Sequence, residues 1–125
     1  SDFLIIGGGV IGISIARELR RRYPDTVVRL IEKESNLGEH ASGRNSGVLH
    51  AGFYYTPNSL KARFTRDGNH ALTEYGDEHN LEINKCGKLV VAQNESELST
   101  LDELLHRGNK NDIELYEVSE SEALK

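Results

Sequence analysis

Phe3-Leu4-Ile5-Ile6-Gly7-Gly8-Gly9-Val10-Ile11-Gly12 opens the chain, and Val27-Val28-Arg29-Leu30-Ile31-Glu32 follows some twenty positions later. The all-apolar run 3–6 is the pattern of a strand buried on both faces. The glycines end it. From Val10 to Arg22 the spacing predicts a helix, with Ile11, Ile15 and Leu19 on one face, Ala16 beside them, and Arg17, Arg20 and Arg21 on the polar side. Tyr23-Pro24-Asp25 stops it, and 27–31 reads as a second strand. Strand, glycine turn, helix and strand in this order form a βαβ unit, whose two strands run parallel.

The glycines are placed as a phosphate-binding turn requires. Gly7 permits the tight turn, Gly9 lets the main chain approach a pyrophosphate with no Cβ between, and Gly12 lets helix and strand pack closely. A diphosphate then meets the helix N-terminus, where free N–H groups and the helix dipole favour an anion. Glu32 ends the second strand 20 residues beyond Gly12, where a carboxylate can accept the hydroxyls of an adenosine ribose. An acid at this position disfavours a 2′-phosphate and so NADP, leaving NAD and FAD open. The bland alternative is a tight glycine turn with an incidental surface glutamate; the combination of strand, turn, helix and acid makes a Rossmann-type start the better reading.

Composition narrows the function classes. The 125 residues carry 15 Lys+Arg against 20 Asp+Glu, a net charge of −5. That acidic balance disfavours wrapping nucleic acid, which needs a basic face. One cysteine excludes an internal disulfide framework and a cysteine-based zinc site. Cys86 is read as a small core residue at a strand start, and His40, His70, His79 and His106 as surface residues without metal-ligand spacing; no metal site is expected. The opening apolar stretch is interrupted by glycines and preceded by no basic segment, so neither a secretory signal nor a membrane span is expected. A cytoplasmic location follows as the default, with peripheral membrane contact left open. The chain starts at Ser1, contains no methionine and stops just after a helix start at Ser119 and Glu122, which points to a piece of a longer protein.

Residues 38–55, Gly-Glu-His-Ala-Ser-Gly-Arg-Asn-Ser-Gly-Val-Leu-His-Ala-Gly-Phe-Tyr-Tyr, are mostly small and polar. They read as a loop rich in main-chain amides that can lie against an extended cofactor, or as a flexible surface loop. Pro57-Asn58-Ser59 opens a helix running to about His79, with Leu60, Phe64, Ala71, Leu72 and Tyr75 at helical spacing. Residues 87–92 and 113–118 are strand candidates. Asn94 with Glu97, and Ser119 with Glu122, form capping-box starts of two further helices.

At Ser42-Gly43-x-Asn45-Ser46-Gly47-Val48-x-His50-Ala51-Gly52-x-Tyr54-Tyr55, followed by Ser59-Leu60-Lys61-Ala62 and Cys86-Gly87-Lys88-Leu89, the sequence resembles the L-2-hydroxyglutarate dehydrogenases and oxidases. These are FAD-dependent oxidoreductases related to D-amino-acid oxidase. The resemblance covers nearly the whole chain, as the amino-terminal part of a longer protein. Arg44 departs from the histidine common in that family. The resemblance implies an α/β fold: the amino-terminal part of a Rossmann-type FAD-binding domain over 1–84 and the beginning of a mixed α+β substrate domain over 85–125. It implies FAD, with the pyrophosphate at Gly7, Gly9 and Gly12 and the adenosine ribose at Glu32 and Lys33. Ser42, Asn45, Ser46, Gly47 and Val48 would lie along the cofactor toward the isoalloxazine, with His50 and the tyrosine pair near the flavin.

The expected reaction is oxidation of a small 2-hydroxy acid, L-2-hydroxyglutarate first among them, with oxygen or another electron acceptor reoxidising the flavin. His50 is the candidate acid/base, since histidine titrates near neutral pH. The competing role is a hydrogen bond to the flavin or to a backbone carbonyl. Arg44 is the better candidate for an anion contact, whereas Lys61, Arg63 and Arg66 read as solvated charges on a polar helix face. Two rival functions are an amine oxidase acting on a glycine derivative or D-amino acid, and a dinucleotide-binding sensor without catalysis.

Overall fold

A computed structural model describes residues 2–124. The chain divides into two compact units, Ser1–Val48 and Leu49–Lys125. In the first, strand β1 (Phe3–Ile6), helix α1 (Val10–Arg22) and strand β2 (Val28–Ile31) form the expected βαβ unit. The strands pair in parallel with Phe3 opposite Val28 and Ile6 opposite Ile31. Backbone bonds extend the ladder at both ends, Asp2 N–H to Val27 O at 3.0 Å and Gly7 N–H to Ile31 O at 2.8 Å. The Asp2 carboxylate closes the lower end by accepting the Val27 N–H at 2.9 Å.

Helix α1 begins with no acid in its first turn and ends on Arg20, Arg21 and Arg22, a charge order that suits the helix dipole. Glu18 bonds both Arg21 and Arg22, and these contacts lower its pKa to about 2. The helix meets the sheet differently from its apolar spacing. Ile11 is 73% exposed and Ile15 48%, while Gly12, Ala16 and Leu19 are the more covered positions. Small residues govern this approach: a Cβ on Gly12 would lie 2.0 Å from the Gly7 carbonyl oxygen.

The second unit is helical. Helix α2 (Leu60–Glu78) is capped by Ser59, whose hydroxyl accepts the Ala62 N–H at 3.1 Å. A short 3-10 turn (Glu95–Glu97) leads into helix α3 (Leu98–Lys110), and helix α4 (Glu120–Ala123) follows. Glu122 accepts the Ser119 N–H at 2.8 Å and closes its helix start as expected. Glu97 instead accepts the Gln93 N–H at 2.8 Å and the Asn94 side-chain amide at 3.1 Å, so the capping box expected at Asn94 does not form. After α2 the chain folds back on the helix, and Ile83 Cδ1 occupies the space that a Cβ on Gly76 would need, 2.5 Å away.

Two strand expectations are corrected. Residues 87–92 and 113–118 form no strand among the described residues, where the only ladder joins β1 and β2. The segment after α3 packs instead: Leu115 lies where a Cβ of Gly108 would project, and Ile113 N–H bonds the Gly108 carbonyl at 2.9 Å. Cys86 is likewise corrected. It is an exposed free thiol, since no strand forms there to bury it.

Gly12→Ala forces a Cβ against a backbone oxygen with no flexible side chain to yield. We expect it to destabilise the full-length protein by about 1–3 kcal/mol in chemical denaturation. An unchanged unfolding midpoint would contradict the close helix–strand contact.

Candidate functional site

The site is built from the turn after β1 and the end of β2. Gly7 takes φ +106°, a region that disfavours any side chain. Gly8, treated in the sequence as a spacer between functional glycines, is the best-anchored residue of the turn. It is buried, its N–H donates to Glu32 Oε2 at 2.6 Å, and its carbonyl accepts the Gly38 N–H at 3.0 Å. A Cβ at Gly8 would come within 2.4 Å of Leu37 Cδ2. The visible signal was the third glycine in a row. What it meets, Leu37 and Gly38 at the start of the next loop, has no signature in local spacing.

Glu32 is accordingly a structural keystone as well as a ribose candidate. Its Oε1 also accepts the N–H groups of Lys33 at 2.8 Å and Glu34 at 3.1 Å. The Gly8 bond is the foremost cause holding its carboxyl below the ordinary range, followed by the Glu34 bond. A carboxylate has about four lone-pair sites, so with three backbone donors engaged it can take one further hydroxyl without rearrangement. The Lys33 ammonium lies 3.2 Å from Glu34 Oε1, and Glu34 Oε1 also meets His40 Nε2 at 2.8 Å. The Lys33 side chain therefore points to its acidic neighbour.

Ser42 comes to the same place from the following loop. Its hydroxyl accepts the Val10 N–H at 2.9 Å, and a Cβ on Gly9 would sit 3.1 Å from that oxygen. Gly9 is the N-cap residue of α1 and offers no side-chain cap, so a serine 32 positions away satisfies the first helical donor. Ile11 and Gly12 have no i−4 partner inside the helix. Ser42 thus stands at the start of α1.

Past Ser42, Asn45 folds the loop on itself. Its amide donates to Ser42 O at 2.9 Å and its Oδ1 accepts the Gly47 N–H at 2.8 Å, with Gly47 at φ +66°. Arg44, Ser46 and Val48 are exposed on this loop. The structure thus gathers Gly7, Gly9, Gly12, Glu32 and Ser42 around the N-terminus of α1, while Asn45 and Gly47 shape the loop that presents Arg44, Ser46 and Val48.

These residues fit a dinucleotide. A turn without Cβ atoms, a helix start free of acids and a strand-end carboxylate offer a diphosphate and a ribose complementary surroundings.

His50 belongs to the second unit and lies on a tightly held segment. Asn69, on α2, donates to both Leu49 O and His50 O at 3.3 Å. From the end of α3, buried Asn111 donates to Gly52 O at 3.3 Å and Tyr55 O at 3.0 Å, and Arg107 to Tyr54 O at 3.0 Å. Gly52, at φ +94°, lets the chain pass Thr65, whose Cβ would be 3.2 Å from an added Cβ. Phe53 is buried beneath. The small-residue stretch is therefore no free loop over residues 49–55. The His50 ring meets the Tyr54 hydroxyl through Nδ1 at 2.8 Å. Tyr55 lies edge-on to Tyr54 at 4.5 Å, and its hydroxyl raises the Tyr54 pKa. Lys61 and Arg66 are engaged too, Lys61 over the Tyr55 ring at 4.5 Å and Arg66 with Asp112 at 2.8 Å. Arg63 lies over the Phe64 ring. Among the described residues no His/Cys/Asp/Glu cluster could hold a metal ion, and no helix is long and apolar enough to cross a membrane.

With a parallel βαβ unit and this glycine turn in place, the class is plain: the chain belongs to the FAD dependent oxidoreductase family, whose model matches residues 2–125. Among curated proteins it is similar to the mitochondrial L-2-hydroxyglutarate dehydrogenase of Nematostella vectensis, 47% identical over 112 residues, covering 90% of this chain and 25% of that protein. The L-2-hydroxyglutarate dehydrogenase of Salmonella houtenae is 47% identical over 121 residues, covering 97% and 29%. The mitochondrial enzyme of that name from Bos taurus is 40% identical over 124 residues, covering 99% and 27%. The chain thus spans 25–29% of the length of these relatives.

Glu32 sets a pH signature. Because its folded pKa is depressed, its three backbone bonds are intact above the ordinary carboxylate range and are lost as pH falls through the lowered value. The Gly8, Lys33 and Glu34 amide resonances should titrate together below 4.5, and Glu32→Gln should remove that common titration. Titration at an unshifted value would contradict the clasp.

Proposed function

We propose that the protein oxidises L-2-hydroxyglutarate to 2-oxoglutarate with FAD as cofactor. The observation that carries this reading is the 47% identity to relatives named for that activity, over 90% and 97% of this chain. When bound, FAD would supply the hydride-accepting chemistry, with oxygen or another acceptor to reoxidise it.

The chain's own residues would act as follows. Gly7, Gly9 and Gly12 hold the diphosphate against the start of α1, where Ser42 fixes the first turn. Glu32 takes a ribose hydroxyl through its remaining lone pair, beside Lys33. Ser42, Arg44, Asn45, Ser46, Gly47 and Val48 run on along the cofactor, and Arg44 supplies a positive charge for an anionic group. His50 removes the hydroxyl proton as C2 gives up its hydride, so the alcohol carbon becomes a ketone with atoms and charge in balance.

Within this reading residues 1–84 form the amino-terminal part of a Rossmann-type FAD domain and 85–125 open a substrate domain. The exposed, unpaired thiol of Cys86 supports a reducing compartment such as the cytoplasm. Peripheral membrane contact would belong to other surfaces of the protein.

The full-length protein should bind FAD, and its flavin should bleach anaerobically with L-2-hydroxyglutarate but not with sarcosine or D-amino acids. Bleaching by an amine instead would make it an amine oxidase, and FAD binding with no bleaching a sensor. Glu32→Ala should weaken FAD affinity about tenfold, the scale of one charge-assisted hydrogen bond. His50→Ala should slow flavin reduction by roughly 10²–10⁴ with FAD still bound; a normal rate would leave His50 outside the chemistry.

A further inference from the structure

We infer that Tyr54 is the positioning residue of His50: its hydroxyl accepts the Nδ1 proton of the imidazole, so that Nε2 is left with its lone pair as the proton-accepting edge. This rests on the reading of His50 as the acid/base.

A histidine can serve as a base only through the nitrogen that lacks a proton, and the bond made by the other nitrogen selects it. The His50 Nδ1 partner is the Tyr54 hydroxyl, 2.8 Å away. The rings meet at 86° with centroids 6.1 Å apart, so the phenol approaches the imidazole without covering its face. A phenol offers one proton and two lone pairs. Tyr55 packs edge-on against the same ring, with centroids 4.5 Å apart. Because Nδ1 is the nitrogen that faces Tyr54, a basic Nε2 requires Nδ1 to carry the ring proton and the Tyr54 oxygen to accept it. The arrangement also survives proton uptake, because an imidazolium keeps its Nδ1–H and continues to donate to Tyr54.

The geometry is fixed from several sides. Asn69 bonds the His50 carbonyl and Arg107 the Tyr54 carbonyl, so the backbone is anchored at both residues. Arg107 is itself paired with Glu103. Lys61 lies over the Tyr55 ring and completes the charged groups around the pair. The ring spacing follows from sequence: His50 and Tyr54 stand four apart in a segment turned by Gly52 at φ +94°.

The test reads the tautomer directly. In the full-length protein labelled with 15N-histidine, at a pH where imidazoles are neutral, His50 should show a pyrrole-type Nδ1 and a pyridine-type Nε2. Tyr54→Phe keeps the ring and removes the hydroxyl, and should shift His50 toward the Nε2–H form that predominates in free neutral histidine. In the FAD-loaded protein, Tyr54→Phe should lower the rate of flavin reduction about tenfold or more with little change in the substrate concentration giving half-maximal rate. A wild-type His50 already in the Nε2–H form, or one indifferent to Tyr54→Phe while the fold is intact by circular dichroism, would overturn the inference. The nitrogen shifts need no substrate, so a protein that fails to oxidise L-2-hydroxyglutarate yet shows the predicted tautomer would sink the functional reading and leave the Tyr54 contact standing.

Discussion

Three backbone N–H groups, those of Gly8, Lys33 and Glu34, converge on the carboxylate of Glu32. That convergence ties the turn after β1 to the end of β2, two points 24 residues apart in sequence. Everything at the start of α1 depends on it. If Gly8 were not held, the carbonyl of Gly7 would not be fixed beneath Gly12, and the helix could not approach the strand as closely as it does. The acid is therefore doubly constrained, by the main chain it organises and by the ligand hydroxyl it can still accept.

The second unit solves a different problem with similar means. Residues 49–55 have almost no apolar material to bury beyond Phe53, so they are held by polar clamps. Asn69 reaches them from α2, while Arg107 and Asn111 reach them from the end of α3. Hydrogen bonds of this kind set direction and register more sharply than apolar contact does. The result is that a segment of small residues presents one histidine and two tyrosines in a fixed relation.

Much of this was legible in the sequence. The β1–α1–β2 order, the turn at Gly7, the close packing at Gly12 and the capping acid Glu122 all follow from local spacing, because each involves neighbours within a few residues or a helix and its flanking strands. The apolar stripe Ile11–Ile15 misled, since Gly12 and Ala16 permit the closer approach and so take the sheet-facing side. The strand candidates 87–92 and 113–118 failed for want of a pairing partner among the described residues. Long-range contacts were the least readable. Nothing near Ser42 announces that it caps a helix 32 residues earlier, and nothing near Asn111 announces its hold on Gly52 and Tyr55.

The central claim is that the Glu32-clasped turn and the first N–H groups of α1 form the diphosphate cradle of FAD. Backbone amide shifts of the full-length protein, recorded as FAD is added, test it most directly. The Gly9, Val10, Ile11 and Gly12 amides should move in step with cofactor binding and become protected from exchange. Saturating FAD binding that leaves those four amides unmoved would contradict the account.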